Sequence, residues 1–154
     1  MEKGGNGLKI THLNKEGDVN MVDVSGKEIT KRKATAEGLI TFPKNIADQL
    51  KKDPKSKKGN IFSVAKIAGI NAAKKTSELV LLCHQINLKK INITTEWKNN
   101  SVLVKSEAIT KSETGVEIEA INAVMIALLN IYDMTKSLTT EIEMSNIKLV
   151  KKEK

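Results

Sequence analysis

The chain has 154 residues, of which 40% are hydrophobic, 29% are charged and 3% are aromatic. This is the balance of a globular chain with one core, and the length fits one domain. No apolar run approaches the roughly 18 to 20 residues needed to span a bilayer, and the polar start lacks the apolar stretch of a secretory signal. The single cysteine, Cys83, cannot form an internal disulfide. We therefore expect a cytoplasmic protein.

The formal net charge of +8 attracts phosphate groups in some form. Nucleic acids and small polyphosphates both carry such groups, and a lysine-rich solvated surface is an equal alternative to either. Proteins that bind single strands usually stack bases on aromatic side chains. This chain has only four: Phe42, Phe62, Trp97 and Tyr132. The pattern around Phe62 and Trp97 indicates core positions, so the composition argues against RNA as the partner.

The sequence up to the lysine-rich loop predicts an N-terminal arm, followed by extended segments and a short helix. Residues 1–20 are polar, and we expect a flexible N-terminal arm there. Extended structure is favoured over residues 21–25 and again over residues 33–42. Pro43 suits the first turn of a short helix that ends near Lys52. A lysine-rich loop follows it.

A longer helix is predicted over residues 60–79, with Asn60 as its N-cap. It carries small residues that let another element pack closely: Ala65, Ala68, Gly69, Ala72 and Ala73. The alternation after residue 91 predicts a β-hairpin that turns at Asn99–Asn100 and returns to about Thr110.

The spacing of apolar residues predicts a second long helix over residues 116–137 and a last strand over residues 141–151. The element order is therefore that of an α+β protein with the ferredoxin-like split βαβ arrangement. We expect an antiparallel sheet with two long helices packed on one face. Residues 21–154 are expected to form this single domain.

Some polar residues fall where packing does not explain them. His84 follows Cys83 on a connection, where a histidine binds phosphate, moves a proton or simply caps a turn. With one cysteine and two histidines in the chain, a zinc site is not expected. Glu117 and Glu119 suit the positive end of a helix dipole, and they also suit the donors of a purine or pterin ring.

Asp133 and Lys136 share a helix face at i, i+3, which fits either a surface ion pair or an acid/base pair. Lys58 precedes a helix N-terminus, where an ammonium group and free backbone N–H groups can hold phosphate; the alternative is a solvated loop lysine, which is the commoner case. The sequence contains neither the P-loop motif nor the dinucleotide-binding fingerprint, so these motifs give no support for an ATPase or a dehydrogenase.

Several ordered segments resemble one family, the molybdenum cofactor biosynthesis protein C family of cyclic pyranopterin monophosphate synthases. The resemblance rests on Met21–Ser25, on Lys58–Gly59 with Ala65–Lys74, on Leu82–His84, on Thr114–Ala120 and on Ile131–Lys136. It extends from about Thr11 to Lys152.

The resemblance implies a ferredoxin-like enzyme without a cofactor or metal. It also implies a homohexamer, a trimer of dimers, whose active site lies at the dimer interface. Such an enzyme takes the cyclised dihydro-GTP made by an upstream radical SAM enzyme and releases cyclic pyranopterin monophosphate and pyrophosphate. This would be a phosphorus–oxygen lyase reaction, and neither nucleic acid nor a membrane would be a partner.

The resemblance also implies roles for individual residues. The catalytic residues would be Lys58, Asp133 and Lys136. The substrate-binding residues would be Arg32, Leu82, Cys83, His84, Glu117, Ile118, Glu119 and Lys152. Three positions depart from the family pattern: Gln85 stands in place of a proline, Ile118 in place of a common methionine and Glu113 in place of a lysine.

The alternative function is a non-catalytic RNA- or nucleotide-binding module on the same fold. Such a sheet would expose aromatic side chains on its central strands. The predicted strands instead carry polar residues: Asn92, Thr94, Glu96, Lys105 and Glu107. The sequence therefore favours the synthase.

Overall fold

The computed structural model describes residues 12–154. Its elements in chain order are β1 (Thr30–Thr41), α1 (Lys44–Lys52), β2 (Lys55–Ser56), β3 (Gly59–Asn60), α2 (Ile61–Lys74), α3 (Thr76–Leu79), β4 (Leu88–Lys98), β5 (Ser101–Ser112), α4 (Glu117–Thr135) and β6 (Glu143–Glu153). Four strands form an antiparallel sheet in the order β4-β5-β1-β6, and β2 pairs with β3. Because β5 lies between the parallel strands β1 and β4, this is the predicted ferredoxin-like split βαβ arrangement.

Residues 12–29, the described part of the chain before β1, belong to no sheet. Residues 1–11 of the predicted arm lie outside the described residues. Residues 12–20 form an exposed turn with a bridge between Leu13 and Val19. Residues 21–25, predicted as extended, pair with no strand of the described structure and lie beside the loops that follow α3 and β5.

β1 shows how the sequence determines the two faces of the sheet. Successive side chains of a strand point to opposite faces. Ala34, Ala36 and Ile40 are buried under the helices, whereas Glu37 lies on the open face and pairs with lysines of the neighbouring strands. The small residues of β1 let α4 lie close to the middle of the sheet.

Gly69 lets α2 and α4 pack closely side by side. A Cβ atom at this position would lie 2.7 Å from the backbone oxygen of Ala123 and 3.2 Å from the Cβ of Ala127. The run of small residues in the predicted helix therefore does permit close packing. Asn122 on α4 donates to the carbonyl oxygen of Ala72 at 2.9 Å and joins the same pair of helices further along.

The overpacking caused by Gly69→Ala is expected to cost about 1 to 3 kcal/mol, because a backbone oxygen cannot move aside as a side chain would. After the roughly 1 kcal/mol that alanine gains in helix propensity, the free energy of unfolding should fall by up to about 2 kcal/mol. Chemical denaturation measures it. Gly26→Ala is the matched control, since no atom lies within 4 Å of its added Cβ. Equal stability of the two variants would contradict the packing argument.

The helix that was predicted to run to residue 79 ends earlier. Asn60 caps its start as predicted, since its side chain accepts from the amides of Phe62 and Ser63, both at 3.1 Å. α2 ends at Lys74, and α3 begins at Thr76. The Thr76 hydroxyl donates back to the α2 carbonyl groups, which competes with continuing the helix.

α4 is long and apolar enough to cross a bilayer by length and composition, with a mean hydropathy of 1.3. Its longest stretch without a charged side chain, residues 120–132, is shorter than a membrane span. Half of the helix's membrane-length window is buried inside the structure. Its apolar composition is explained by its place in the core, where Val124, Leu128 and Ile131 are fully buried.

Candidate active site

Three of the predicted site residues meet at the C-terminal end of α4. Asp133 lies on the last turn of the helix, Lys136 is its C-cap, and Lys58 reaches them from the turn between β2 and β3. Lys136 Nζ lies 2.7 Å from Asp133 Oδ1, and Lys58 Nζ lies 3.2 Å from Asp133 Oδ2. We call these three residues the Asp133 cluster. Because Lys58 lies 75 positions before Asp133 in the sequence, the cluster is more than an i, i+3 surface pair.

Hydrogen bonds within the Asp133 cluster shift the pKa values of Asp133 and Lys136. Hydrogen bonds from Lys136 and then from Lys58 keep the pKa of Asp133 below its usual value. The hydrogen bond to Asp133 raises the pKa of Lys136. Asp133 is therefore an anion and Lys136 a cation across the neutral range. Because all three side chains are 46–68% exposed, these pairs contribute little to stability.

A second group of predicted residues lies at the other end of α4. Lys152 Nζ on β6 lies 3.2 Å from Glu117 Oε1, and Arg32 Nη2 on β1 donates to the carbonyl oxygen of Glu113 at 3.3 Å. We call Arg32, Glu117 and Lys152 the Glu117 cluster. It lines a cleft of about 530 Å³ with five basic and three acidic side chains, a balance that suits an anionic ligand.

Two details of the Glu117 cluster indicate a binding role. The buried Nε of Arg32 has no hydrogen-bond partner among residues 12–154. A bound anion would satisfy this donor, which is costly to leave unpaired. A Cβ at Gly115 would lie 2.6 Å from the carboxyl carbon of Glu117. The glycine therefore lets that carboxylate fold back over the loop.

Buried groups lie beside the start of α4. Glu119 is only 4% exposed, and burial raises its pKa. Burial also raises the pKa of Cys83, and the charge of Glu119 adds to this effect. Cys83 is therefore a thiol and a poor nucleophile at neutral pH. Leu82 is half-buried and Ile118 is 41% exposed, so both can offer apolar contacts.

His84 lies on the loop between α3 and β4, and its Nε2 lies 2.7 Å from the carbonyl oxygen of Val22. His84 and Thr114 line one cleft, and Thr114 also lines the cleft of the Glu117 cluster. His84 is thus a neighbour of that cluster. Val22 was not among the predicted site residues, because a contact through a backbone carbonyl group has no residue-type signature.

The structure does not bring all the predicted residues together within one chain. Glu117 and Asp133 are 16 positions apart on the same helix, which corresponds to about 24 Å at 1.5 Å per residue. The predicted catalytic residues lie at the C-terminal end of α4: Lys58, Asp133 and Lys136. The predicted phosphate contacts, Arg32 and Lys152, lie at the other.

The open face of the sheet carries ion pairs. Lys33 Nζ lies 2.8 Å from Glu107 Oε2, and Lys90 Nζ lies 3.0 Å from Glu107 Oε1. The aromatic side chains lie elsewhere: Phe42, Phe62 and Trp97 cluster on the helix side, and Tyr132 is on α4. This face offers no stacking platform for RNA bases. Among residues 12–154, no three His, Cys, Asp or Glu side chains are grouped so as to hold a metal ion.

Comparison with known proteins gives one family. The family model described as "MoaC family" matches residues 21–154. The chain is 44% identical over 133 residues to a cyclic pyranopterin monophosphate synthase of Staphylococcus carnosus, which covers 84% of this chain and 82% of that protein. It is 40% identical over 147 residues to a synthase of the same name from Syntrophomonas wolfei, covering 94% and 93%.

A longer relative is also similar. A molybdenum cofactor biosynthesis bifunctional protein of Chlorobaculum tepidum is 47% identical over 143 residues, which cover 92% of this chain. The match spans 45% of the length of that protein.

Proposed function

Since the chain belongs to the MoaC family, we propose that it is a cyclic pyranopterin monophosphate synthase of molybdenum cofactor biosynthesis. It converts cyclised dihydro-GTP into cyclic pyranopterin monophosphate and pyrophosphate. No water is consumed in closing the cyclic phosphate, so the enzyme is a phosphorus–oxygen lyase. Residues 21–154 act as its single synthase domain.

The observation that carries this proposal is the Asp133 cluster. The three residues to which the family resemblance assigns catalysis come from two distant parts of the chain, yet one carboxylate contacts both ammonium groups. A carboxylate can orient two amines and tune their proton affinity. Lys136 is protonated in the free protein, so it enters the reaction as a proton donor.

The chemistry also needs the Glu117 cluster. A substrate hydroxyl oxygen attacks the α-phosphorus, the bond from that phosphorus to the bridging oxygen breaks, and pyrophosphate leaves with the bonding electrons. The hydroxyl proton passes to a base. Arg32 and Lys152 neutralise the charge that develops on the leaving group. His84 contacts the substrate next to Arg32 and Lys152. The segments Leu82–His84 and Glu117–Glu119 hold the ring system.

We propose further that the active site is shared between two subunits. The two ends of α4 are about 24 Å apart. A single nucleoside triphosphate cannot span this distance while its reacting atoms stay close to both clusters. A two-fold partner whose α4 runs antiparallel would bring its Glu117 cluster beside the Asp133 cluster of the first chain.

α4 offers a surface for such pairing. Ile118, Met125 and Leu129 form a stripe on its outer side and are 41%, 47% and 48% exposed. Exposed apolar stripes of this kind mark interaction surfaces. A two-fold axis near Met125 would pair the two ends of the helix. The resemblance adds the assembly of three such dimers into a homohexamer.

We also propose a place for the enzyme in the cell. It works in the cytoplasm, where its substrate comes from an upstream radical SAM enzyme that cyclises GTP. The half-buried Cys83 is free, which suits a reducing compartment. The reaction as proposed needs neither a cofactor nor a metal from the protein, and its partners include no nucleic acid and no membrane.

The direct test supplies the purified full-length protein with cyclised dihydro-GTP. We expect one pyrophosphate per cyclic pyranopterin, measured by a coupled phosphate assay and by mass spectrometry of the product. GTP itself is the control, since it lacks the ring closure and should give no pyrophosphate. Failure to form a cyclic pyranopterin in a folded sample would overturn the proposal.

A further inference from the structure

His84 is held by the backbone of the segment that precedes β1. Its Nε2 lies 2.7 Å from the carbonyl oxygen of Val22, 62 positions earlier in the chain. A carbonyl oxygen only accepts hydrogen bonds, so Nε2 must carry the hydrogen. In the neutral ring, Nδ1 then keeps its lone pair.

We infer that residues 21–25 are a positioning element that fixes His84 in its Nε2–H tautomer and leaves Nδ1 as the nitrogen that accepts from the ligand. The assignment of a ligand to this nitrogen rests on the proposed function. The tautomer and its cause do not depend on it.

The positioning segment is itself shaped by local hydrogen bonds. Asp23 Oδ1 accepts from the backbone N–H of Ser25 at 2.9 Å, and the amide of Lys27 donates to the carbonyl oxygen of Val24 at 3.0 Å. Val22 and Val24 are half-buried while Asp23 is exposed. The segment therefore presents the Val22 carbonyl group from a defined turn with its apolar side chains turned inward.

The loop that carries His84 needs such support. Residues 84–87 form no helix or strand, and Gln85 stands where the family resemblance gives a proline. A proline ring would fix one backbone angle directly after the histidine. In this chain the Val22 contact restrains the ring from outside the loop. The same segment also lines the cleft beside His84, together with Ser112 and Thr114.

The tautomer can be observed directly by NMR of the full-length protein labelled with ¹⁵N-histidine. The chain has only two histidines, and His12 is exposed, so His12→Gln assigns both signals. At neutral to mildly alkaline pH we expect His84 to show a protonated Nε2 and an unprotonated Nδ1. A protonated Nδ1, or an averaged mixture like that of His12, would overturn the inference.

Asp23→Ala tests whether the segment causes the tautomer, because it removes the carboxylate that shapes the turn. We expect the His84 signals to change to a tautomer mixture, whereas Asp23→Asn, which removes the same charge near His84 but keeps an Oδ1 acceptor for Ser25, leaves them unchanged. An unaltered Nε2–H tautomer in Asp23→Ala would mean that something other than the segment fixes the ring, and the inference would fail.

The consequence for the reaction is measured separately. Asp23→Ala should lower kcat by roughly 2- to 10-fold, the range that one hydrogen bond supports. KM should change less, because the phosphate contacts are intact. His84→Ala removes both ring nitrogens, so it should lose more activity than Asp23→Ala, in which the ring remains. The spectra stay decisive even if the protein releases no pyrophosphate.

Discussion

Replacing Asp133 by asparagine should lower the rate of pyrophosphate release by roughly 10²- to 10⁴-fold, the range of general acid–base catalysis, without unfolding the protein. The carboxylate is the only group of the Asp133 cluster that contacts both lysines. Asparagine leaves two ammonium groups close together with no counter-charge. Lys136, the proton donor, then loses both its counter-charge and the group that orients it.

The pH profile of the residual activity identifies the role of Lys136. Because the hydrogen bond that Lys136 donates to Asp133 raises the pKa of Lys136, the variant should titrate this lysine at lower pH than the wild type. If the activity falls with rising pH, and this fall occurs at lower pH in the variant than in the wild type, Lys136 works in its protonated form. If instead the activity rises with pH, and this rise occurs at lower pH in the variant, Lys136 works as a free amine.

A matched control exists on α1. Asp48 pairs with Lys44 at 2.6 Å, and its side chain is 45% exposed, against 46% for Asp133. Hydrogen bonding to that lysine also lowers the pKa of Asp48. Asp48→Asn should keep wild-type turnover. Normal turnover by Asp133→Asn would remove the cluster from the catalytic machinery.

Mixing two inactive variants should restore activity if the site is shared between subunits. Lys58→Ala damages the Asp133 cluster and Lys152→Ala damages the Glu117 cluster. In a heterodimer, one site combines both damaged clusters and the other combines both intact ones. Random exchange makes about half of the dimers mixed, each with one of two sites restored, so about one quarter of wild-type activity should return.

The control mixture combines Lys58→Ala with Asp133→Asn, after the same unfolding, mixing and refolding. Both changes lie in the Asp133 cluster, so every site of every dimer stays damaged and no activity should return. If the first mixture also stays inactive while each variant assembles normally, the two clusters serve one site within a single chain, and the proposed arrangement is wrong.

Much of the fold follows from the sequence because its local signals agree. Asn60 caps a helix, the alternation after residue 91 gives a hairpin, and the apolar spacing of α4 gives its buried face. The break between α2 and α3 was not predictable locally. It depends on Thr76, whose hydroxyl bonds to α2, and on Asn122 from a distant helix, which donates to Thr76 Oγ1 at 3.1 Å.

The site was less predictable from residue types. The spacing of Asp133 and Lys136 fits a surface ion pair equally well, and only the family resemblance favoured catalysis. The contact with Lys58 depends on the packing of α2 against α4, which no local pattern contains. The Val22 carbonyl group and the close approach of Glu117 to Gly115 were missed for a related reason, since backbone contacts leave little trace in the sequence.

The close approach at Gly69 also matters for the distance between catalytic groups. Lys58 lies just before α2, whereas Asp133 lies on the last turn of α4, so each end of this ion pair moves with a different helix. A larger side chain at position 69 would spread the helices and lengthen the reach from ammonium to carboxylate. Substitutions at position 69 should therefore lower turnover as well as stability, although the residue lies outside both clusters.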